Sequence, residues 1–312
     1  MIISASRRTD IPAFYSQWFM NRLQAGFVYV SNPYNANRLV KVKLAPDVVD
    51  CIVFWTKNPQ AMLSQLDRID ALGYNYYFQF TLTPYNQMIE TCLPGKSKII
   101  ETFKRLSNKI GKYRVIWRYD PILLNTELSF DYHFSMFHQL CEILADYTEQ
   151  CIFSFVNLYG KIQKQLQGLG VSVIGNTAMQ TLARGFADIA KEHKLKLATC
   201  SETIDLSIYG ITHASCISQA VVEQIIGCPL SVKKDNNQRL SCGCIESVDI
   251  GAYDSCSHGC IYCYARRNET MVHNNIGKHD SKSPLLLGYP RGDERVTDRA
   301  GKSFKSVQTF LF

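Results

Sequence analysis

The chain of 312 residues is 46% hydrophobic and 20% charged, with a formal net charge of +7. That is enough material for one large globular core or two smaller ones. Its longest apolar runs, residues 51–55 and 151–156, are far too short to cross a bilayer, and Met1-Ile-Ile-Ser-Ala-Ser-Arg-Arg lacks the order of a secretory leader, so a cytoplasmic protein without a membrane partner is expected.

Taken in chain order, short runs rich in β-branched and aromatic residues fall at 2–5, 27–30, 51–55, 76–82, 114–119, 151–156, 195–199 and 211–215. Each is bounded by polar or turn residues and reads as a strand. Residues 38–44 also alternate and are expected to form a hairpin with 27–30. Helical patterns lie between the strands. One opens at Asn58-Pro59, a cap followed by proline, carries Met62, Leu63, Leu66 and Ile69 on one face, and stops at Gly73. A second stripe, Ile99, Ile100, Phe103, Leu106 and Ile110, closes at Gly111; a third holds Phe134, Phe137, Cys141 and Leu144. Eight strands alternating with helices predict an α/β fold of the TIM-like (β/α)8 barrel type over residues 1–227.

Polar residues follow these strands: Ser6, Arg7, Arg8, Thr9 and Asp10, then Ser31 and Asn32, then Thr56, Lys57 and Asn58. Thr81, Thr83, Arg118, Asp120, Asn157, Cys200, Glu202 and Cys216 continue the series. A parallel barrel gathers them at its carboxyl face, where such folds place their active sites. Arg7, Arg8, Asp10, Lys57, Arg118 and Asp120 form a mouth of mixed charge suited to a small polar or anionic substrate. Asn58-Pro59 and Asp120-Pro121 are equally well explained as cap and turn chemistry.

Beyond Gly227 the composition changes. Residues 228–312 hold a polar linker, a cysteine-rich segment and a polar tail without helical period, expected to cover the open face of the barrel. Twelve cysteines without a leader point away from a disulfide framework. Cys51, Cys141 and Cys151 sit in apolar segments and read as small buried hydrophobes, and Cys92 as an ordinary loop residue.

Cys256-Ser-His-Gly-Cys260-Ile-Tyr-Cys263 is different. Its spacing lets one loop present three thiolates to a 4Fe–4S cluster, which is usually held by four cysteines. The fourth iron is then open to a small molecule, the arrangement that S-adenosylmethionine chemistry uses. His258 and Tyr262 read as shaping the loop. A second thiol set, Cys200 and Cys216 at strand ends with Cys242 and Cys244 around Gly243, is expected to close an auxiliary iron–sulfur cluster or a zinc site, or to leave only the Cys242/Cys244 pair in use.

Ser6-Arg-Arg-Thr-Asp-Ile-Pro-Ala, Phe54-Trp-Thr-Lys-Asn-Pro, Trp117-Arg-Tyr-Asp-Pro and the stretch from Asp249 through Ala265 resemble an uncharacterised bacterial family, the domain-of-unknown-function family eighteen-forty-eight. The resemblance covers essentially the whole chain and implies no established activity. The cysteine cluster is similar to the iron–sulfur loop of radical S-adenosylmethionine enzymes, including Tyr262 before the last cysteine and Tyr264-Ala265 after it, which implies cofactor-binding positions at Tyr262 and Tyr264. Two departures stand out. The loop follows the eighth strand instead of the first, and the chain has no Gly-Gly pair to hold the cofactor's amino group.

Three functions fit these features: a radical S-adenosylmethionine-like enzyme, an iron–sulfur protein without that cofactor, and a zinc-stabilised binding protein with Cys242, Cys244 and the later cysteines as tetrahedral ligands, or with His258 as the fourth. Gln308-Thr-Phe-Leu-Phe312 resembles the short peptides with which bacterial repair and replication proteins dock on the sliding clamp, a link to nucleic acid. Packing of these residues back on the barrel is the alternative.

Overall fold

The computed structural model describes residues 1–158 and 160–306. Its strands and helices run β1 (Ile2–Ala5), α1 (Ile11–Phe14), α2 (Ser16–Ala25), β2 (Phe27–Asn32), β3 (Asn35–Lys43), β4 (Cys51–Thr56), α3 (Leu66–Ala71), β5 (Tyr76–Thr81), α4 (Lys96–Ile110) and β6 (Val115–Ile122). They continue with α5 (Phe130–Leu144), β7 (Gln150–Phe155), α6 (Gly160–Gly168), α7 (Asn176–Glu192), β8 (Lys196–Cys200), β9 (Thr212–Ala214), α8 (Gln219–Ile226), β10 (Val248–Asp249), α9 (Glu269–Ile276) and β11 (Arg295–Arg299).

Eight strands form one sheet in the order β10-β1-β4-β5-β6-β7-β8-β9, and every neighbouring pair is parallel. Both faces are covered, so the strands read as nearly continuous apolar runs. Ile3, Ile52, Phe54, Phe78, Phe80, Trp117, Tyr119 and Phe153 point to one face and join the core built with the helices. There Trp117 stacks on Phe137, which stacks on Phe186 of α7 with ring centres 4.1 Å apart. Ile2, Cys51, Val53, Tyr77, Ile116, Ile152 and Ala198 point to the other face and meet Cys216, Ile217, Val222, Leu230, Cys242, Cys244 and Ile245.

The helix expected from Asn58 is divided into two short 3-10 turns, Pro59–Ala61 and Leu63–Gln65, followed by α3. Met62, Leu63, Leu66 and Ile69 are nevertheless buried as the stripe requires. Ser129 and Ser218 cap α5 and α8 by accepting from Tyr132 N and Val221 N.

The sheet is open, which corrects the expected closed barrel. Residues 27–30 do not enter it. They pair antiparallel with β3, as the hairpin patterning predicts, and β11 adds a third strand to that separate sheet. Ser31 and Asn32 therefore lie away from the carboxyl ends of the main sheet. Its eighth strand is instead β10, from the cysteine-rich segment. Among the described residues the edge strands β9 and β10 do not pair with each other. The reason lies in the chain after β9, which turns in over the sheet face. Tyr77 Oη and Gln79 Nε2 both donate to the Cys216 carbonyl, at 2.7 and 2.9 Å, and Ile245 N donates to Ile217 O at 3.1 Å. Backbone and α8 fill space that closure would need.

The region 268–306 is more regular than its composition indicates, since it supplies α9 and β11. It also reaches the amino end of the sheet, where the Met1 amine donates to Lys302 O at 2.7 Å and Phe304 N to Asp50 at 2.8 Å. Gln308 to Phe312 lie outside the described residues. No helix among the described residues is long and apolar enough to cross a membrane.

Candidate functional site

β10 delivers the cysteine loop to the carboxyl end of β1. The Asp249 carboxylate accepts from Ser4 Oγ at 2.6 Å, Ser6 Oγ at 2.7 Å, Arg7 N at 2.8 Å and Gly251 N at 3.0 Å. One half-buried carboxylate thus fixes the exits of both strands. A Cβ at position 251 would stand 2.1 Å from Ser6 Oγ, so only glycine passes there.

The loop closes on itself at its neck, where Asp254 N donates to Ala265 O at 2.9 Å and Arg267 Nε to Asp254 Oδ2 at 2.7 Å. Its back lies on residues 89–92. Glu90 pairs with Cys260 as a single antiparallel bridge, Ile261 N donates to Ile89 O at 3.1 Å and Cys92 N to His258 O at 3.0 Å. Gly259 has φ +69 and sits where a Cβ would be 2.0 Å from Thr91 Oγ1. Cys92, read from sequence as an ordinary loop residue, is therefore part of the surface on which the loop docks.

All three thiols are free, Cys260 buried and Cys256 and Cys263 half-buried. Burial pushes the Cys260 thiol up to about 12, against the pull of Lys57, and raises the other two as well. Only a nearby cation makes such groups thiolates, and a bound metal does so by displacing their protons.

The loop is held from below by two networks. In the first, Asp10 caps α1 by accepting from Ala13 N at 2.9 Å, accepts from Lys57 N at 2.7 Å, and bonds His258 Nε2 at 2.7 Å. The other ring nitrogen of His258, Nδ1, is buried without a partner, and its ring lies 4.7 Å from that of Phe14. In the second network Glu90 accepts from Lys57 Nζ at 2.7 Å, Lys96 Nζ at 2.5 Å, Thr83 Oγ1 at 2.7 Å and Tyr262 Oη. Burial alone would raise the Glu90 carboxyl; the ammonium groups of Lys57 and Lys96 outweigh it and hold the carboxyl at about 2. Glu90 was not among the residues singled out by sequence, where a lone glutamate after Met88-Ile89 has no diagnostic spacing. With Lys96, Tyr85 and Leu93 it borders a cleft of about 410 Å³.

Tyr264 Oη donates to Arg7 O at 2.7 Å, tying the loop to the first strand's exit. Arg8 lies 5.0 Å from the Tyr253 ring and 3.9 Å from Asp249, leaving its guanidinium the most loosely engaged of the expected cationic groups.

The second thiol set also assembles. Cys200 Sγ, at the end of β8, is 3.0 Å from Cys216 Sγ, and Cys244, whose Sγ accepts from Ile217 N at 3.3 Å, neighbours Cys216 and Cys242. Arg118 on β6 donates from Nη1 to Cys216 Sγ at 3.0 Å and pairs through Nε with Asp120 at 3.0 Å; Asp120 also accepts from Ser154 Oγ. Only 4% exposed, Arg118 faces these sulfurs and not the solvent. Arg7 lies beside Cys244 and 4.9 Å from the Trp55 ring. Hydrogen bonding from Cys244 brings Cys242 down to about 7 although burial opposes it. The sequence-predicted residues therefore divide: Asp10, Lys57, Tyr262 and Tyr264 surround the three-cysteine loop, Arg118 and Asp120 serve the four-cysteine set, and Arg7 touches both. Elsewhere, His138 with Glu192 and His193 places three ligand atoms within 4.8 Å of one another between α5 and the end of α7.

The family described as "Domain of unknown function (DUF1848)" matches residues 2–265. No curated protein and no solved structure matches the chain.

Proposed function

The chain belongs to the domain-of-unknown-function family DUF1848, and from that premise we propose that it is an iron–sulfur protein in which Cys256, Cys260 and Cys263 hold one 4Fe–4S cluster and leave one iron for S-adenosylmethionine. The observation that carries the reading is a single docked loop with three free, partly or fully buried thiols at the carboxyl end of a parallel sheet. The donor set fits the group, because soft thiolates match iron and the loop has no fourth cysteine to complete the shell. A cluster of this kind supplies the electron for reductive cleavage of S-adenosylmethionine.

The chain's own residues then hold, balance and shield. Asp10 orients His258 and the Lys57 backbone, fixing the middle of the loop. Glu90 takes up the charge of Lys57 and Lys96 beneath Cys260, and Tyr262 covers that pair, its ring 5.4 Å from Lys57 Nζ. Arg8 is the residue best placed to receive a carboxylate or other anion, whether of the cofactor or of a small polar substrate.

Anaerobic reconstitution tests the reading. Four irons and four acid-labile sulfides should bind per site and be lost in the Cys256→Ala/Cys260→Ala/Cys263→Ala variant, and 5′-deoxyadenosine should form on reduction. Metal content unchanged by that triple substitution would refute it, and a loaded cluster with no response to S-adenosylmethionine would leave an electron-transfer or structural cluster.

A second reading rests on the unpartnered Nδ1 of His258. A histidine held through Nε2 by a carboxylate is a common arrangement at zinc, and Cys256, Cys260, Cys263 and His258 would make a closed Cys3His site. Zinc without sulfide in the purified protein distinguishes it.

A further inference from the structure

Cys200, Cys216, Cys242 and Cys244 come from three separate parts of the chain: the end of β8, the turn after β9 and the segment that leads into β10. Cys200 Sγ stands 3.0 Å from Cys216 Sγ, Cys244 neighbours Cys216 and Cys242, and none is in a disulfide. The group is fixed at its middle. The Cys216 carbonyl accepts from Tyr77 and Gln79 on the central strand β5, and Cys244 Sγ accepts from Ile217 N at 3.3 Å.

Two cations are aimed at these sulfurs. Arg118 donates to Cys216 Sγ at 3.0 Å, and Arg7 lies beside Cys244 with its Nη2 buried and without a hydrogen-bond partner. Guanidinium groups are costly to bury against neutral thiols and favourable against thiolates, since a hydrogen bond to an ionised acceptor is roughly twice as strong as a neutral one.

We propose that these four cysteines bind a single divalent metal ion, zinc or iron, in a tetrahedral all-thiolate site with Arg7 and Arg118 as its outer hydrogen-bond donors. Binding replaces four S–H bonds by four metal–sulfur bonds, releases four protons to solvent and leaves a complex of charge −2 beside the two guanidinium groups. With metal–sulfur bonds of about 2.3 Å, each sulfur stands roughly 3.8 Å from the other three. The Cys200 and Cys216 sulfurs already stand 3.0 Å apart, no three of the four sulfurs lie within 4.8 Å of one another, and binding draws Cys242 and Cys244 in to complete the tetrahedron; a 4Fe–4S cluster needs all four sulfurs spread around a larger core. The site joins β8, the chain that fills the sheet face, and the approach to β10, so its metal fastens the opening between the sheet's two edges. The proposal does not rest on a cluster at Cys256, Cys260 and Cys263.

The Cys256→Ala/Cys260→Ala/Cys263→Ala variant isolates this site. Purified anaerobically, it should retain about one equivalent of zinc or of iron without acid-labile sulfide, either metal supporting the proposal. After chelation, titration with Co(II) under reducing conditions should give the visible bands of tetrahedral thiolate-bound cobalt. Adding Cys242→Ser should weaken Co(II) binding by at least about 100-fold, and Arg7→Met by about 10-fold, the range seen when outer partners of metal ligands are lost. In the unsubstituted protein, which avoids any folding defect, Cys200 and Cys242 should resist alkylation until a chelator is added. Sulfide retained in proportion to iron would overturn the single-ion site in favour of a cluster. Absence of both retained metal and cobalt bands, or chelator-independent alkylation of Cys200 and Cys242, would overturn the site altogether.

Discussion

Replacing Glu90 by glutamine keeps the side chain's shape and removes its charge from between Lys57 and Lys96. Glu90 is 1% exposed, and the side chains of Lys57 and Lys96 are 12% and 32% exposed. The carboxyl is depressed from 4.5 to about 2, which corresponds to about 3 kcal/mol of stabilisation of the folded state. Breaking a buried pair by removing one partner costs about 3–5 kcal/mol, and the more exposed Lys96 contributes the smaller share. Glu90→Gln should therefore destabilise the reduced, metal-free protein by about 3 kcal/mol in urea unfolding at neutral pH. The folded-state pKa is the depressed one, so this stability is complete above about pH 4.5 and is lost as pH falls towards 2. Over that window the unsubstituted protein should lose stability faster than the variant. Adding Lys57→Met should restore part of the loss, because the orphaned ammonium goes with it. A loss below about 1 kcal/mol, or no recovery in the double variant, would refute the view that Glu90 balances these lysines.

His133 is buried, with Nε2 against Leu123 O and Nδ1 against Tyr119 Oη, both at 2.8 Å, and burial lowers it to about 4. It stays neutral in the fold, so the protein should lose about 3 kcal/mol as pH falls from 6.5 to 4; His133→Gln should flatten that slope in pH-dependent urea unfolding. Gly259→Ala should loosen the loop from residues 89–92, costing about 2 kcal/mol through its left-handed backbone and the clash with Thr91, and Thr91→Ala should relieve the steric part in thermal unfolding. Phe137→Ala removes the ring stacked between Trp117 and Phe186 and should cost about 4 kcal/mol in the same assay; a loss under 1 kcal/mol would mean the helix layer is not packed as described. Asp249→Ala removes the acceptor of four hydrogen bonds and should expose residues 248–265 to rapid hydrogen exchange.

Periodicity carried the sequence reading wherever local pattern and burial coincide. The six strands 2–5, 51–55, 76–82, 114–119, 151–156 and 195–199 are those buried on both faces, and their apolar runs allow little else. Residues 27–30 have the same local chemistry, so only their partner decides the sheet to which they belong. Val248-Asp249 carries no strand signal. Its pairing comes from the bonds of one carboxylate to Ser4, Ser6 and Arg7, residues some 240 positions away. Closure failed for a related reason, since nothing local announces that the chain at 216–217 turns inward to meet Tyr77 and Gln79. At the site, cysteine spacing is a sequence property and was visible. Strand ends located Cys200 and Cys216 because parallel neighbours finish at the same level. Glu90 and Cys92 could not be found this way, because their roles come from backbone pairing with a loop about 170 residues later.

The position of β10 has a consequence for how the molecule is made. β1 leaves the ribosome long before its second neighbour, which is synthesised 245 residues later. Until then the nascent sheet carries an unpaired parallel edge of Ile2-Ile-Ser-Ala, apolar and open to other chains. Long-range parallel pairing of this sort is slow, and here it is completed by the same segment that carries the three-cysteine loop. The late arrival of that segment leaves the edge unprotected for most of synthesis, so slowed translation should show first as aggregation of newly made chains, before any loss among those already folded.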